Sequence, residues 1–329
     1  MVRMLVGQAK VVGMLPEGTV LLCGNHVSYR DVFLFGLVRS SARLLVHPLV
    51  FSFPFLKKYA LRWGFVQVSI DDAVALLKQG QTVAICPTGL VEALGEAELP
   101  FKTGAVRIAQ QAGVPHLVLL SAICVQKPLL AFQDAKLAFE RALMDSGLTW
   151  SIVRPTAFFK SLSGQVERVR KGKPFLIFGD GTLTSCKPIS DNDLADFIVG
   201  CLTDPARHNR VLPIGGPGNA QTPRQQGEQL FALLGREPRF TQVPVALLDT
   251  IIRVLSVLGR VVPPLADKAQ LARIGRYYAT ESMLVWDPIA YRYDAAATPS
   301  TGQDTLVDFF AKRLRGDATD DRGEHAVFS

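Results

Sequence analysis

Short apolar runs and amphipathic stretches alternate along most of this chain, the pattern of strands and helices built into an α/β layer. Apolar runs at 19–23, 43–46, 65–69 and 82–86 predict four strands. Helical periodicity at 30–38 and 71–78 falls between them, and a further helix at 104–111 leads into Pro115. The alternation then continues with a strand over 117–121, a long helix over 130–147 and a strand over 150–154 closed by Pro155. A helix over 191–202 opens at Asp191, and a strand over 210–214 stops at Gly215-Gly216-Pro217-Gly218 before a helix over 223–234. From Gly316 the chain turns polar and acidic (Asp317, Asp320, Asp321, Glu324), which predicts a disordered tail over 316–329. There is no internal repeat.

The longest apolar stretch, 245–262, is interrupted by Asp249, Arg253, Ser256 and Arg260 at spacings of four, three and four. That places one polar stripe on an otherwise apolar helix, too interrupted for a membrane span. It reads as a helix packed on a domain, with a lid over a hydrophobic substrate or a peripheral membrane contact through the helix starting at Val245 as the sharper alternative. Apolar residues make up 48% of the chain and charged residues 20%, a globular balance. The net charge of +7 at pH 7 favours anionic partners such as phosphate esters, coenzymes or a membrane surface. Its basic residues are scattered without aromatic interleaving, which argues against nucleic acid. Cys23, Cys86, Cys124, Cys186 and Cys201 are odd in number and widely spaced in apolar runs, as suits reduced core thiols, not a disulfide framework or a metal site. The first residues show neither a secretory signal nor a transit peptide.

The first candidate chemistry is Asn25-His26-Val27-Ser28-Tyr29-Arg30-Asp31, where a strand gives way to a helix. A histidine taking a proton from a hydroxyl needs a carboxylate to fix its tautomer and stabilise its charge, and His26 with Asp31 can supply that pair. A loop histidine capping a helix would show the same spacing. The surrounding stretches settle on more: Leu21-Leu22-Cys23-Gly24-Asn25-His26, Leu45-Val46-His47-Pro48, Cys86-Pro87-Thr88-Gly89-Leu90-Val91-Glu92-Ala93-Leu94 and Phe101-Lys102-Thr103-Gly104-Ala105-Val106-Arg107-Ile108-Ala109 follow in order. Over residues 10–118 this sequence resembles the glycerolipid acyltransferases, within them the diacylglycerol acyltransferase and phytyl ester synthase group. The resemblance implies His26 and Asp31 as the catalytic pair, with Thr88 and Gly89 near the acyl chain or acceptor. It also implies an acyl lipid as substrate. Thr88 departs from the Glu or Gly usual in that superfamily.

The second half carries Leu120-Ser121-Ala122-Ile123-Cys124-Val125-Gln126-Lys127-Pro128-Leu129-Leu130, then Phe132-Gln133-Asp134-Ala135-Lys136 and Ser151-Ile152-Val153-Arg154-Pro155-Thr156-Ala157-Phe158-Phe159-Lys160. Phe178-Gly179-Asp180-Gly181, Cys186-Lys187-Pro188-Ile189-Ser190, Val211-Leu212-Pro213-Ile214-Gly215-Gly216-Pro217-Gly218 and Gly275-Arg276-Tyr277-Tyr278-Ala279 complete the set. These runs resemble the 8-vinyl reductases of divinyl chlorophyllide, atypical relatives of the short-chain dehydrogenases. The resemblance implies NADPH as cofactor, with Ser121, Lys136, Pro155 and Thr156 near it and Phe158 near a hydrophobic substrate. It also implies chlorophyll biosynthesis in the chloroplast. Short-chain dehydrogenases hold a Tyr and a Lys four residues apart on one helix face. Here Lys136 keeps its place while Phe132 stands for the Tyr, which suits reduction of a carbon–carbon double bond more than of a ketone.

One element is missing from the string. A Rossmann-type site grips its pyrophosphate with a glycine-rich turn at a helix N-terminus. No G-x-G-x-x-G or G-x-x-G-x-x-G occurs among these 329 residues, so dinucleotide binding is expected to be weak and reductive turnover low. The expectation is therefore α/β throughout. An acyltransferase-like segment over 1–116 is followed by an incomplete Rossmann-type reductase segment over 117–315, whose first strand pairs with strands of the first segment.

Overall fold

The computed structural model describes residues 19–23, 41–85 and 103–316. The helix expected at 30–38 and the acidic tail lie outside the described residues. The chain divides into two compact units, one of residues 1–119 and 134–151, the other of 120–133 and 152–329.

The first unit contains strands β1 (Leu21–Cys23), β2 (Arg43–Val46), β3 (Val66–Gln67) and β4 (Val83–Ile85), ordered β1-β4-β2-β3. Every described pair among them is parallel, with Cys23 opposite Ile85 and Arg43 opposite Val83. Helices α1 (Leu49–Ser52), α2 (Pro54–Arg62), α3 (Ile70–Lys78) and α4 (Gly104–Ala112) follow the chain around this sheet. Ser69 caps α3 by accepting from the Asp72 amide, and Asp71 and Asp72 place negative charge at its N-terminal dipole. Packing of α3 on α4 buries Ala73, Val74 and Leu77 with Ala105, Val106, Ile108 and Ala109, the small residues letting the helices approach closely. The sequence pattern does not show α1 and α2. Their outer faces are apolar too, which hides the helical period, and Pro54 at the first position of α2 reads as a breaker although it suits a helix start.

Strands β5 (His116–Leu120) and β6 (Thr149–Pro155) begin in the first unit and end in the second, with α5 (Ala131–Met144) between them. Among the described residues β5, β6 and β8 (Arg210–Ile214) form their own three-stranded sheet in that order, so β5 has β6 as its neighbour rather than a strand of the first segment.

The second unit continues through α6 (Phe159–Leu162), α7 (Val166–Arg170), β7 (Phe175–Phe178), α8 (Asp191–Thr203), β8 (Arg210–Ile214), α9 (Pro223–Leu233) and β9 (Phe240–Val243). It ends with α10 (Val245–Leu258), α11 (Pro263–Thr280), β10 (Val285–Asp287), β11 (Arg292–Asp294) and α12 (Leu306–Arg315). Parallel β7 and β9 pair Phe175 with Phe240, and a core of Phe159, Val166, Val169, Phe175, Ile177, Leu230, Phe231, Leu306 and Phe310 fills the space beneath. A full capping box, Thr222 with Gln225, starts α9.

The interrupted apolar stretch becomes α10, and two of its polar positions meet α11 while Arg253 is exposed. Asp249 pairs with Arg276 of α11, and Ser256 accepts from Arg273 at 2.9 Å. Leu247, Ile251, Val254 and Leu258, at helical spacing, are left exposed. The helix thus carries apolar side chains on both sides, with Leu248 buried inside. Among the described residues no helix is long and apolar enough to cross a membrane.

Candidate active site

The run Ser121–Leu130 leaves the end of β5 as a loop with one turn of 3₁₀ helix at Ile123–Gln126. Ser121 is buried, and its amide donates to the Val153 carbonyl of β6 at 2.8 Å. Gln133, fully buried in the first turn of α5, accepts from the Leu129 and Leu130 amides at 2.7 and 2.9 Å and donates to the Cys124 carbonyl at 2.9 Å. One side chain thus satisfies the helix start and holds the loop before it. From α11, Tyr277 donates to the same Cys124 carbonyl at 3.0 Å. Burial pushes the Tyr277 hydroxyl well above the usual phenol range, with the nearby Cys124 and Glu281 adding to the rise, so it stays a donor throughout the physiological range.

Gln126 and Lys127 tie the loop to the C-terminal hairpin. Gln126 donates to Leu284 O at 2.5 Å and accepts from the Trp286 amide at 2.8 Å. Lys127 Nζ lies 2.8 Å from Glu281 Oε2 and 4.5 Å from the Trp286 ring centroid. Tyr293 donates to the same carboxylate oxygen at 2.6 Å. The ammonium is therefore held by a carboxylate and an aromatic face together. None of Lys127, Glu281, Trp286 and Tyr293 is marked out by motif spacing; only the position of Lys127 inside the Gln126-Lys127-Pro128 run hinted at it.

At the end of β6, Pro155 and Thr156 are buried. The Thr156 amide donates to Ile214 O at 2.9 Å and its hydroxyl to the Lys187 carbonyl, so both of its donors are already engaged. Phe158 precedes α6 and bridges to Ile189. The run Cys186–Ser190 threads between this segment and Gly215-Gly216: the Gly216 amide donates to Lys187 O at 3.2 Å, and Lys187 Nζ donates to Thr298 O at 2.7 Å. A Cβ on Gly216 would stand 1.9 Å from the Pro188 carbonyl oxygen, so only glycine fits there. Three of the quoted runs, around Thr156, Lys187 and Gly215-Gly216, are thus packed together. Burial pushes the Cys186 thiol up to about 12, which keeps it protonated and inert. A 220 Å³ cleft beside this layer is lined by Phe159, Lys160, Ser190, Asp191, Phe309 and Lys312, among others.

Phe132 and Lys136 occupy one face of α5, both half-buried. In the first unit, His26, Asp31, Thr88 and Gly89 lie outside the described residues. The chain nonetheless leaves β1 after Cys23 and β4 after Ile85, and those two residues are partners in a parallel pair. Both exits therefore sit side by side at one end of the sheet, the end at which open α/β sheets bind ligands. Among the described residues, no group of three or more His, Cys, Asp or Glu side chains is placed to hold a metal ion.

An NAD(P)H-binding family model matches residues 66–205 and an acyltransferase family model residues 3–120, so the two overlap over 66–120. Over 271 residues the chain is 58% identical to a chloroplastic divinyl chlorophyllide a 8-vinyl-reductase of Cucumis sativus, covering 80% of this chain and 63% of that protein. The Oryza sativa subsp. indica reductase of the same name is 55% identical over 229 residues, covering 68% and 56%. These reductases are homologues of the chain, which spans less than two thirds of their length. Among solved structures, a ternary complex of leucoanthocyanidin reductase from Vitis vinifera superposes with a TM-score of 0.56 at 12% identity, covering 91% of this chain and all of that one. That likeness shows a Rossmann-type α/β fold.

Proposed function

From its homology to the chloroplastic 8-vinyl reductases, we propose that this chain is an NADPH-dependent reductase of the 8-vinyl group of divinyl chlorophyllide, acting in chlorophyll biosynthesis in the chloroplast. The observation that carries this reading is the 58% identity over 271 residues. The ends of β5 and β6 support placing the nicotinamide end of a dinucleotide there, because open α/β sheets bind ligands at such ends and buried Ser121, Pro155 and Thr156 would form its wall. We assign Ser121, Lys136, Pro155 and Thr156 to that end and Phe158 to the substrate. We also keep the division of the chain at residue 116, the reductase segment running to 315.

Reduction of a vinyl to an ethyl group takes up two electrons and two hydrogens. When bound, NADPH supplies the electrons and one hydrogen. Lys136 would hold the ribose through its ammonium group, and Phe132, having no hydroxyl, cannot deliver the second hydrogen. That proton comes from water or another group. Thr156, its donors committed to backbone, shapes the wall instead of donating to a ligand. The exposed apolar residues Leu247, Ile251, Val254 and Leu258 of α10 support a peripheral membrane contact through this helix, suited to a hydrophobic substrate.

Fluorescence titration of NADPH tests the cofactor reading. Without a glycine-rich turn, charge-assisted hydrogen bonds of about 1.5–3 kcal/mol each are forgone, so a dissociation constant in the millimolar range is expected. Submicromolar binding would show that the turn is dispensable or replaced.

The acyltransferase match over residues 3–120 and the side-by-side exits of β1 and β4 favour a second reading. In it His26 and Asp31 move a fatty acyl group from a thioester to a lipid alcohol, with Thr88 and Gly89 at the acceptor. Ester profiles of cells expressing the wild type and His26→Ala test this; identical profiles would eliminate it.

A further inference from the structure

We propose that α1 and α2 form a docking surface for an anionic lipid bilayer. From residue 32 to residue 70 the chain contains no Asp or Glu, while Lys57, Lys58 and Arg62 fall within α2 and are exposed. Alongside these cations the same short helices and the residues flanking α2 expose Leu49, Phe53, Phe55, Leu56, Tyr59 and Trp63, Phe55 to 71%. Ala60, at 2% exposure, marks the inner face of α2. Phe55, Tyr59 and Trp63 recur every fourth residue and form a ladder along the outside, with ring centroids 4.9 and 6.1 Å apart. Lys58 and Arg62, also four apart, flank that ladder on one side.

A folded chain gains nothing by holding a row of aromatic rings in water, so the surface has an occupant. Tyr and Trp rings beside lysines and arginines match the headgroup layer of a membrane, where amphipathic rings and basic side chains are both favoured. A second copy of the chain is a poor occupant. A two-fold contact through this face would set Lys57, Lys58 and Arg62 against their own equivalents with no carboxylate between them. An anionic bilayer supplies both the apolar depth for the rings and the opposite charge for the cations. This surface belongs to the first unit, α10 to the second, and it does not depend on either reading of the chemistry.

The test uses the purified full chain with phosphatidylcholine vesicles, plain or doped with phosphatidylglycerol, read by co-sedimentation and by tryptophan emission. Binding to the doped vesicles is expected, with a blue shift that the Trp63→Phe variant loses. The triple variant Lys57→Glu, Lys58→Glu, Arg62→Glu should keep its circular dichroism and lower partitioning at least ~100-fold, since each cation near an anionic surface contributes about a factor of five. The proposal is overturned if the triple variant sediments like the wild type. A vesicle-bound chain whose Trp63 emission does not move, as for contact through α10 alone, overturns it too. So does lipid-free self-association that buries Trp63.

Discussion

Gln133 is the single side chain on which the loop after β5 depends most, and replacing it by leucine isolates its polar role. Leucine keeps a similar volume but makes none of the three hydrogen bonds to Leu129, Leu130 and Cys124. The Cys124 carbonyl still accepts from Tyr277, so its loss is partial. The two amides are left without a protein partner, and each such group costs about 1–3 kcal/mol where water cannot reach it. Leu129 is 60% exposed, which lets water satisfy part of the deficit and holds the total to about 2–4 kcal/mol. For a cooperative unit of this size, each kcal/mol lowers Tm by about 2–4 °C, so a drop of about 4–16 °C is expected. Calorimetry is the assay of choice because two units can melt separately, and the shift belongs to the transition of the second unit. Limited proteolysis should find new cleavage within 121–130. A Gln133→Leu protein with wild-type melting and an uncut loop would refute the claim that this side chain organises the site.

The other predictions concern neighbouring positions. Gly216→Ala should destabilise by about 3 kcal/mol or more, because the new Cβ would collide with the Pro188 carbonyl and backbone must move; soluble yield and chemical denaturation report it. The Cys186 thiol ionises near 9 when unfolded and near 12 when folded, so above pH 9 the folded chain holds the proton that the unfolded one has lost. Stability from this group is complete below pH 9 and falls as pH rises from 9 to 12, and urea unfolding at pH 8 and 10 should show a smaller decline for Cys186→Ala. Thiol labelling of the native protein at pH 8 should reach exposed Cys23 well before buried Cys124 and Cys186.

How much of this was legible in the sequence varies by element. The β-α alternation was, because apolar runs such as 82–86 and 150–154 have the length and composition of buried strands. Both family matches were visible in the quoted runs. The long helix expected at 130–147 is shorter at each end: Gln133 fixes its start at Ala131, and positive-φ Gly147 lies beyond its end. The strands at 175–178 and 240–243 were not legible because they are only four residues long. Helices α11 and α12 were missed as well, their apolar positions diluted by charge. The polar stripe of α10 was legible, but the partners of Asp249 and Ser256 were not, since Arg276 and Arg273 stand some twenty residues further on. The cluster around Lys127 joins residues more than 150 positions apart, a proximity that no local pattern encodes.

The central claim is that reductive chemistry belongs to the Lys136-bearing half and is limited by its grip on the dinucleotide. Complementation of a strain that accumulates divinyl chlorophyll tests this most directly. It would use the wild type, the chain given a complete glycine-rich front unit, and that completed chain carrying Lys136→Ala or His26→Ala where each residue is retained. The account predicts little monovinyl pigment from the wild type and far more from the completed chain, retained with His26→Ala and lost with Lys136→Ala. Rescue that survives Lys136→Ala, or failure of the completed chain to rescue at all, would contradict it.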